Sequence, residues 1–221
     1  MASPEERFKF ETGKTPVSAV LAQPEGALAG LVIAHGAGAG MDHPFLVGFS
    51  RAMNDEGVAT LRFNFPYWEA RRRSTDSESV AVASWRAAFD AASSRFGDLA
   101  VFAGGKSYGG RMASSAVADG MPAAGLVFLG YPLHPPGKPA AARDAHLYGI
   151  RVPMLFLHGT RDPFAQGDLV TALVEKLGDR ATLHPVEGGD HSFNVRGPKR
   201  DAREVGAGLA GAAAAFIRKH A

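Results

Sequence analysis

The 221-residue chain contains no cysteine. Disulfide bonds, thiolate metal sites and a cysteine nucleophile are therefore excluded. The chain also lacks any apolar run near the roughly 18 residues that a membrane span needs, and its first residues, MASPEERFKFETG, lack the apolar centre of a secretory signal. We therefore expect a cytoplasmic protein that does not enter a membrane.

A large excess of charge of one sign is also missing. Lys and Arg together number 24 and Asp and Glu number 22, which gives a net charge of +2. No basic face for nucleic acid is therefore expected. The one dense basic run is Arg71-Arg72-Arg73, which we interpret as a solvated loop, with contact to an anionic substrate or partner as the alternative. No pattern indicates an oligomeric state.

The chain does contain a regular alternation of apolar runs and helical stretches. The runs are short, continuous and rich in β-branched or aromatic residues, at 17–22, 30–35, 59–65, 99–105, 125–130, 153–159 and 181–188. Continuous runs are typical of strands covered on both faces. Helical stretches lie at 44–56, 77–96, 107–119, 166–177 and 203–219. We therefore predict an α/β fold: one domain over residues 1–221, with a doubly wound, mostly parallel sheet of about six to seven strands and helices on both faces.

Residues 131–151 break the alternation. This segment, YPLHPPGKPAAARDAHLYGIR, has four prolines and no clear period. It follows a strand and so lies over the carboxyl edge of the sheet, where ligands bind in open α/β folds. We predict a short lid or pocket wall, with a plain connection as the alternative.

Residues 104–111, GGKSYGGR, carry the strongest local signal. A P-loop would need glycine at position 100, which is Ala100, and its loop residues would here belong to an apolar strand. A nucleophile elbow needs G-x-S-x-G between a strand and a helix, and residues 105–109 fit it with serine at the apex. The pattern therefore favours Ser107 as a nucleophile over phosphate binding.

A serine hydroxyl needs a base to attack, and the base needs an acid to orient it. In an elbow fold these residues follow the serine in the order acid, then histidine. Of eight histidines, only His191 combines this order with a loop after a predicted strand. Asp162 lies just past the preceding strand and is the predicted acid, with Asp190 and Asp168 as alternatives.

The glycine-rich residues 36–40, GAGAG, follow an early strand. Small residues let backbone N–H groups approach a substrate, so we predict an oxyanion hole made by the N–H groups of Tyr108 and Ala37. Gly36 and Gly38 are the alternatives to Ala37. A dinucleotide fingerprint fails because Met41 and His43 stand where glycine is required, and we expect no NAD, no other cofactor and no metal.

The predicted substrate pocket is formed by residues that follow strands at the same edge of the sheet. They are Gly36, Gly38, Phe65, Tyr67, Leu133, Phe164 and Phe193. For each aromatic or leucine residue, core packing is the alternative. Together they predict a partly apolar pocket for an acyl or aryl group.

Four motifs, in this order, resemble the α/β-hydrolase superfamily: "HGAGAG", "GGKSYGGRM", "LFLHGTRDPF" and "GGDHSF". The resemblance extends from about residue 15 to the end. "GYPLHPPGKP" is similar to a small cap-less branch near the dienelactone-hydrolase-like proteins, which includes a subunit of a eukaryotic chromatin acetyltransferase complex. The resemblance implies the α/β-hydrolase fold, with the nucleophile at Ser107, the acid at Asp162 and the base at His191. Dienelactone hydrolases proper carry cysteine where Ser107 stands, so their activity is not implied.

Two functions follow as hypotheses. The first is a cofactor-free serine hydrolase that cleaves a small-molecule ester or thioester through an acyl-enzyme, and a transferase that uses another acceptor would show the same residues. The second is a catalytically silent binding or scaffold protein that keeps the fold. The complete set of nucleophile, acid, base and oxyanion loop favours the first.

Overall fold

A computed structural model describes residues 3–13, 15–198 and 200–221 of the chain. The strands are β1 (Glu6–Thr12), β2 (Thr15–Ala22), β3 (Ala29–Ala34), β4 (Val58–Phe63), β5 (Val101–Lys106), β6 (Leu126–Leu129), β7 (Met154–Gly159) and β8 (Ala181–Val186). The α-helices are α1 (Pro44–Asp55), α2 (Pro66–Glu69), α3 (Glu78–Phe96), α4 (Tyr108–Ala118), α5 (Gly167–Leu177), α6 (Ala202–Ala207) and α7 (Ala210–His220). Two single 3₁₀ turns cover Ala145–Gly149 and Gly178–Arg180.

The strands form one eight-stranded sheet in the order β1-β2-β4-β3-β5-β6-β7-β8. The strands from β4 to β8 pair in parallel, while β1 with β2 and β2 with β4 pair antiparallel. The prediction of a mostly parallel α/β sheet is therefore confirmed. Because β3 lies between β4 and β5, the chain reverses its winding direction there, and the carboxyl ends of β3 and β5 meet where Ala34 pairs with Gly105. Open α/β sheets bind ligands at such a switch point.

Two apolar cores cover the two faces of the sheet, as the continuous apolar runs predicted. Every residue of β3, β4 and β7 is buried. One core lies between the sheet and α3, α4 and α5, with Trp85 and Met112 near its centre. The other lies between the sheet and α1, α6 and α7, with Phe49 and Ile217 at its centre. Among the helices of the described residues, none has the length and apolar character required to cross a bilayer.

The structure differs from the predicted elements at three places. The sheet has eight strands, not six or seven, because β1 is an added edge strand. Its sequence ERFKFET alternates polar and apolar residues with a half-exposed pattern, and a search for continuous apolar runs passes over such a strand. The predicted helix at 203–219 is two helices, α6 and α7, which break at Gly208 and Leu209. The short helix α2 was not predicted.

Candidate active site

The turn between β5 and α4 holds Ser107 in a strained conformation, with φ 50° and ψ −112°. Few residues other than glycine adopt positive φ, and such strain persists where the surroundings enforce it. Here the close approach of β3 enforces it. A Cβ at Gly105 would lie 2.3 Å from the carbonyl oxygen of Ala34, and one at Gly109 would lie 2.5 Å from the same oxygen. The two glycines of the G-x-S-x-G motif are therefore required by backbone packing.

The structure brings Ser107, His191 and Asp162 into one hydrogen-bonded chain. Ser107 Oγ lies 2.9 Å from His191 Nε2, and His191 Nδ1 lies 2.7 Å from Asp162 Oδ2. Because Asp162 is buried and its carboxylate accepts, Nδ1 carries the proton and Nε2 is free to accept from the serine hydroxyl. The backbone N–H of Phe164 donates to the other carboxylate oxygen at 2.8 Å, which fixes the orientation of the acid.

Of the three candidate acids, only Asp162 contacts the imidazole in the structure. Asp190 instead shapes the loop that carries His191, because its Oδ1 accepts from the backbone N–H groups of Ser192 at 2.8 Å and of Asn194 at 2.9 Å. Asp168 lies in the first turn of α5. The order of these residues along the chain therefore pointed to the acid that the fold places beside His191.

The segment 131–151 supports the loop that carries the acid. The backbone N–H of His134 donates to the carbonyl of Phe164 at 2.9 Å, and the N–H of Gln166 donates to His134 Nε2 at 3.2 Å. Phe164 in turn packs against the His191 ring, with centroids 4.3 Å apart and the ring planes tilted by 33°. No residue of 131–151 lines the cavity at Ser107. The segment acts from behind Phe164, and its function as a lid stays a prediction.

His35 shapes the glycine-rich loop after β3. Its side chain is fully buried, Nδ1 bonds the carbonyl of Gly36 at 2.9 Å, and Nε2 accepts from the backbone N–H of Phe65 at 3.2 Å. Burial lowers the pKa of His35 to about 4, so the ring is neutral at physiological pH. Tyr67 Oη also donates to the Gly36 carbonyl at 3.4 Å. The carbonyl oxygen of Gly36 is thereby bound by two buried side chains, and the small residues 36–39 line the cavity.

The two predicted oxyanion donors belong to two different segments next to Ser107, the start of α4 and the glycine-rich loop after β3. Tyr108 is the first residue of α4, where backbone N–H groups have no partner within the helix. Its ring is buried, which raises the pKa of the phenol to about 12, so the residue faces the site through its backbone. Ala37 lines the cavity together with Gly36 and Gly38. A Cβ on Gly36 would lie 3.7 Å from that of Ser107, which shows how near the loop comes to the serine.

The cavity at Ser107 has a volume of about 390 Å³. Gly36, Gly38 and Phe164, which the sequence predicted for the pocket, all line it. Its apolar wall comes from two helices that no motif marked: Phe45 and Leu46 of α1, and Ala202 and Val205 of α6. On sequence alone, these residues are indistinguishable from ordinary core positions of amphipathic helices.

Four predicted pocket residues belong to the core instead. Phe65 and Tyr67 are fully buried in an aromatic cluster with His35 and Tyr108, next to the glycine-rich loop. Leu133 is buried on the face of the sheet that carries α3, α4 and α5. Phe193 stacks behind Phe45, with ring centroids 5.9 Å apart. A residue that directly follows a strand lies at the carboxyl edge of the sheet. The local turns nevertheless direct these four side chains into the core. None of the four lines the cavity at Ser107, and core packing, the alternative for each, describes their positions.

The basic run at 71–73 lies in an exposed loop. Arg72 forms an ion pair with Asp76, and the three arginines line an open cavity of about 660 Å³ that also reaches Gly38. The exposure agrees with the interpretation as a solvated loop. Among the described residues, no group of three or more His, Asp and Glu side chains is placed to hold a metal ion.

Comparison with protein families identifies one match. The model of a family described as an alpha/beta hydrolase domain matches residues 27–218. The match includes every residue of the Ser107–His191–Asp162 chain and the whole glycine-rich loop. It leaves out β1 and β2, the two strands at the antiparallel edge of the sheet.

Solved structures share the fold over nearly the whole chain. A dienelactone hydrolase from Anabaena variabilis is 20% identical over 100% of this chain and 99% of its own, with a TM-score of 0.81. An α/β serine hydrolase homologue from Coxiella burnetii is 18% identical over 98% and 97%, with a TM-score of 0.75. A serine hydrolase without a lid from Xanthomonas campestris is 18% identical over 99% and 96%, with a TM-score of 0.73. At such identities the likeness shows the common fold alone.

Proposed function

The chain belongs to the alpha/beta hydrolase domain family, and from that membership we propose that it is a serine hydrolase that cleaves a carboxylic ester or a thioester of a small molecule. The hydrogen-bonded chain from Ser107 through His191 to buried Asp162 carries this proposal. Its serine end opens into a cavity. This arrangement activates a nucleophile and presents it to a ligand.

The chemistry follows from the positions of the protons. His191 Nε2 takes the proton of Ser107 Oγ while the oxygen attacks the carbonyl carbon of the substrate. Asp162 stabilises the imidazolium that forms, and the N–H groups of Tyr108 and Ala37 stabilise the negative oxygen. The tetrahedral intermediate expels the alcohol or thiol, which takes the proton from His191. Water then attacks the acyl-enzyme as His191 takes its proton, and the Ser107 oxygen takes that proton back from His191 as the carboxylic acid leaves.

The apolar wall of the cavity supports a small acyl or aryl group as the part of the substrate that lies beside Ser107. Phe45, Leu46 and Val205 offer it no hydrogen-bond partner, and burial of hydrocarbon is the interaction that such a wall provides. The structural neighbours are a dienelactone hydrolase and serine hydrolases, whose names indicate chemistry of the same general class. Ester and thioester substrates with short apolar acyl groups are therefore the first to test.

A fluorophosphonate probe tests the activated serine without a guess at the substrate. We expect one adduct on the wild-type protein by intact mass and none on Ser107→Ala or His191→Ala. Ser79→Ala changes an exposed serine at the start of α3 and is the matched control, which keeps the adduct. With a chromogenic ester that the wild type cleaves, Ser107→Ala is expected to lose about 10⁶ in kcat. A folded wild type that forms no adduct would favour the scaffold protein instead.

A further inference from the structure

Lys106 is a cationic side chain beside the proposed nucleophile that the chemistry above does not use. It is the last residue of β5, directly before Ser107, and its side chain lines the cavity. Its Nζ donates a hydrogen bond to the backbone carbonyl oxygen of His191 at 2.6 Å, across 85 positions of sequence. Lys106 therefore connects the strand that carries the nucleophile directly to the loop that carries the base.

The surroundings of Nζ hold the amine beside the acid of the same hydrogen-bonded chain. Gly130, after β6, has φ 72°, and a Cβ there would lie 3.2 Å from Nζ and 3.6 Å from Asp162 Oδ2. The Lys106 amine and the Asp162 carboxylate thus both lie next to the space that a side chain at residue 130 would occupy. Nζ also lies 5.6 Å from the centre of the Phe193 ring.

The charges that face Lys106 and His191 come from the loops after β7 and β8. Burial lowers the pKa of Lys106 to about 8, while the carboxylates of Asp162 and Asp190 act in the opposite direction. Lys106 is therefore protonated at neutral pH. His158, at the end of β7, also faces the pair. Burial lowers its pKa, and its Nε2 has no hydrogen-bond partner among the described residues.

We propose that Lys106 is a positioning residue for His191. Its ammonium group holds the backbone carbonyl oxygen of His191 and places a positive charge beside the Asp162–His191 pair. This inference rests on the proposed function. The hydrogen bond restricts the loop so that Nε2 stays within 2.9 Å of Ser107 Oγ. The ammonium also places a positive charge beside the pair through which the proton moves, so its removal is expected to move the acid limb of the reaction to higher pH. A general base acts only in its unprotonated form.

The test is the rate constant for phosphonylation of Ser107, measured across acid and neutral pH. Lys106→Met removes both donor and charge from a similar side chain, and Lys106→Arg keeps both. We expect Lys106→Met to react about 10²-fold more slowly, the loss typical of a misplaced catalytic group, with its acid limb moved to higher pH. Lys106→Arg should recover much of the rate and the wild-type acid limb. Lys219→Met, at an exposed lysine of α7, is the control and should react like the wild type.

The outcomes separate this inference from the proposed function. A wild type that does not react overturns the proposed function. A wild type that reacts while Lys106→Met matches it in rate and acid limb overturns the role of Lys106 alone. Equal losses in Lys106→Met and Lys106→Arg with an unmoved acid limb would also overturn it, because packing alone would then explain the effect. Circular dichroism of each variant confirms that folded proteins are compared.

Discussion

A single buried histidine makes the glycine-rich loop after β3 sensitive to the pH of the solution. His35 is fully buried, and its pKa in the folded protein is about 4 against an ordinary value of 6.5. Between these two values the unfolded chain binds more protons than the folded one, so stability falls as pH falls through this window. The neutral ring is what lets Nε2 accept from Phe65 while Nδ1 bonds Gly36.

His35→Gln should therefore flatten the acid dependence of stability. Glutamine does not titrate, and its amide oxygen can accept in place of Nε2, so the variant is expected to be less stable than wild type at neutral pH but to lose less on acidification. Because buried His35 stays neutral, the wild type should lose on the order of 3 kcal/mol of its free energy of unfolding between neutral pH and about pH 4. Urea unfolding at neutral and acid pH measures, for each protein, the slope of the free energy of unfolding against pH. Equal slopes in the two proteins would contradict the assignment.

The sequence predicted the residues of the hydrogen-bonded chain better than those of the pocket. Ser107, Asp162 and His191 each follow a strand of a parallel sheet, so chain order alone brings them to one edge. Their catalytic roles stay predictions until Ser107 is labelled. The direction in which a side chain points after the end of a strand depends on the local turn. Phe65 follows β4 but is buried in the core, and no sequence motif indicates that direction.

At the scale of elements, the continuous apolar runs predicted strands β2 to β8 within two residues at each end. The predicted helices at 44–56 and 107–119 match α1 and α4 within one residue at each end. The edge strand β1 was missed because its alternating residues do not resemble a strand buried on both faces. The break between α6 and α7 was missed because alanine continues the helical pattern on both sides of Gly208.

The packing of α4 against β3 predicts the effect of one added methyl group. A Cβ at Gly109 would lie 2.5 Å from the carbonyl oxygen of Ala34 and 2.7 Å from that of His35. Both are backbone atoms, so the helix must move away from the sheet. Gly109→Ala is expected to destabilise by about 1–3 kcal/mol or more and to abolish labelling of Ser107. Guanidinium unfolding and the fluorophosphonate assay measure the two effects.

Gly211→Ala is the matched control, because a Cβ at this helical glycine of α7 meets no atom within 4 Å. Alanine is the better helix former by about 0.5–1 kcal/mol, so this variant should be slightly more stable than wild type and label normally. If the two variants proved equally stable, the contact between α4 and β3 would be looser than the structure has it.

For the whole molecule, the class of the fold was predictable but the face of the sheet on which the cavity lies was not. Alternating strands and helices imply a doubly wound sheet, and the structure has helices on both faces. The cavity opens on one face, between α1 and α6, which lie far from Ser107 in sequence. Only the assembled molecule brings these helices together over the elbow.

This arrangement predicts that α6 limits the length of the acyl group. Ala202 lines the cavity at the start of α6 and is half-exposed, so a larger side chain there enters the cavity without overpacking the core. Each buried CH₂ group of a substrate contributes about 0.8 kcal/mol, or roughly fourfold in kcat/KM. Ala202→Phe should remove this gain for longer acyl esters and leave acetyl esters nearly unchanged.

A series of p-nitrophenyl esters of increasing chain length measures the preference as a ratio of kcat/KM values, which is independent of the amount of active protein. Arg203→Phe places the same side chain on the exposed side of α6 and should keep the wild-type ratios. If Ala202→Phe also kept them, the acyl group would lie away from α6, toward Gly38 and the second cavity at Arg71–Arg73. The pair of variants therefore decides which side of the oxyanion loop receives the acyl chain.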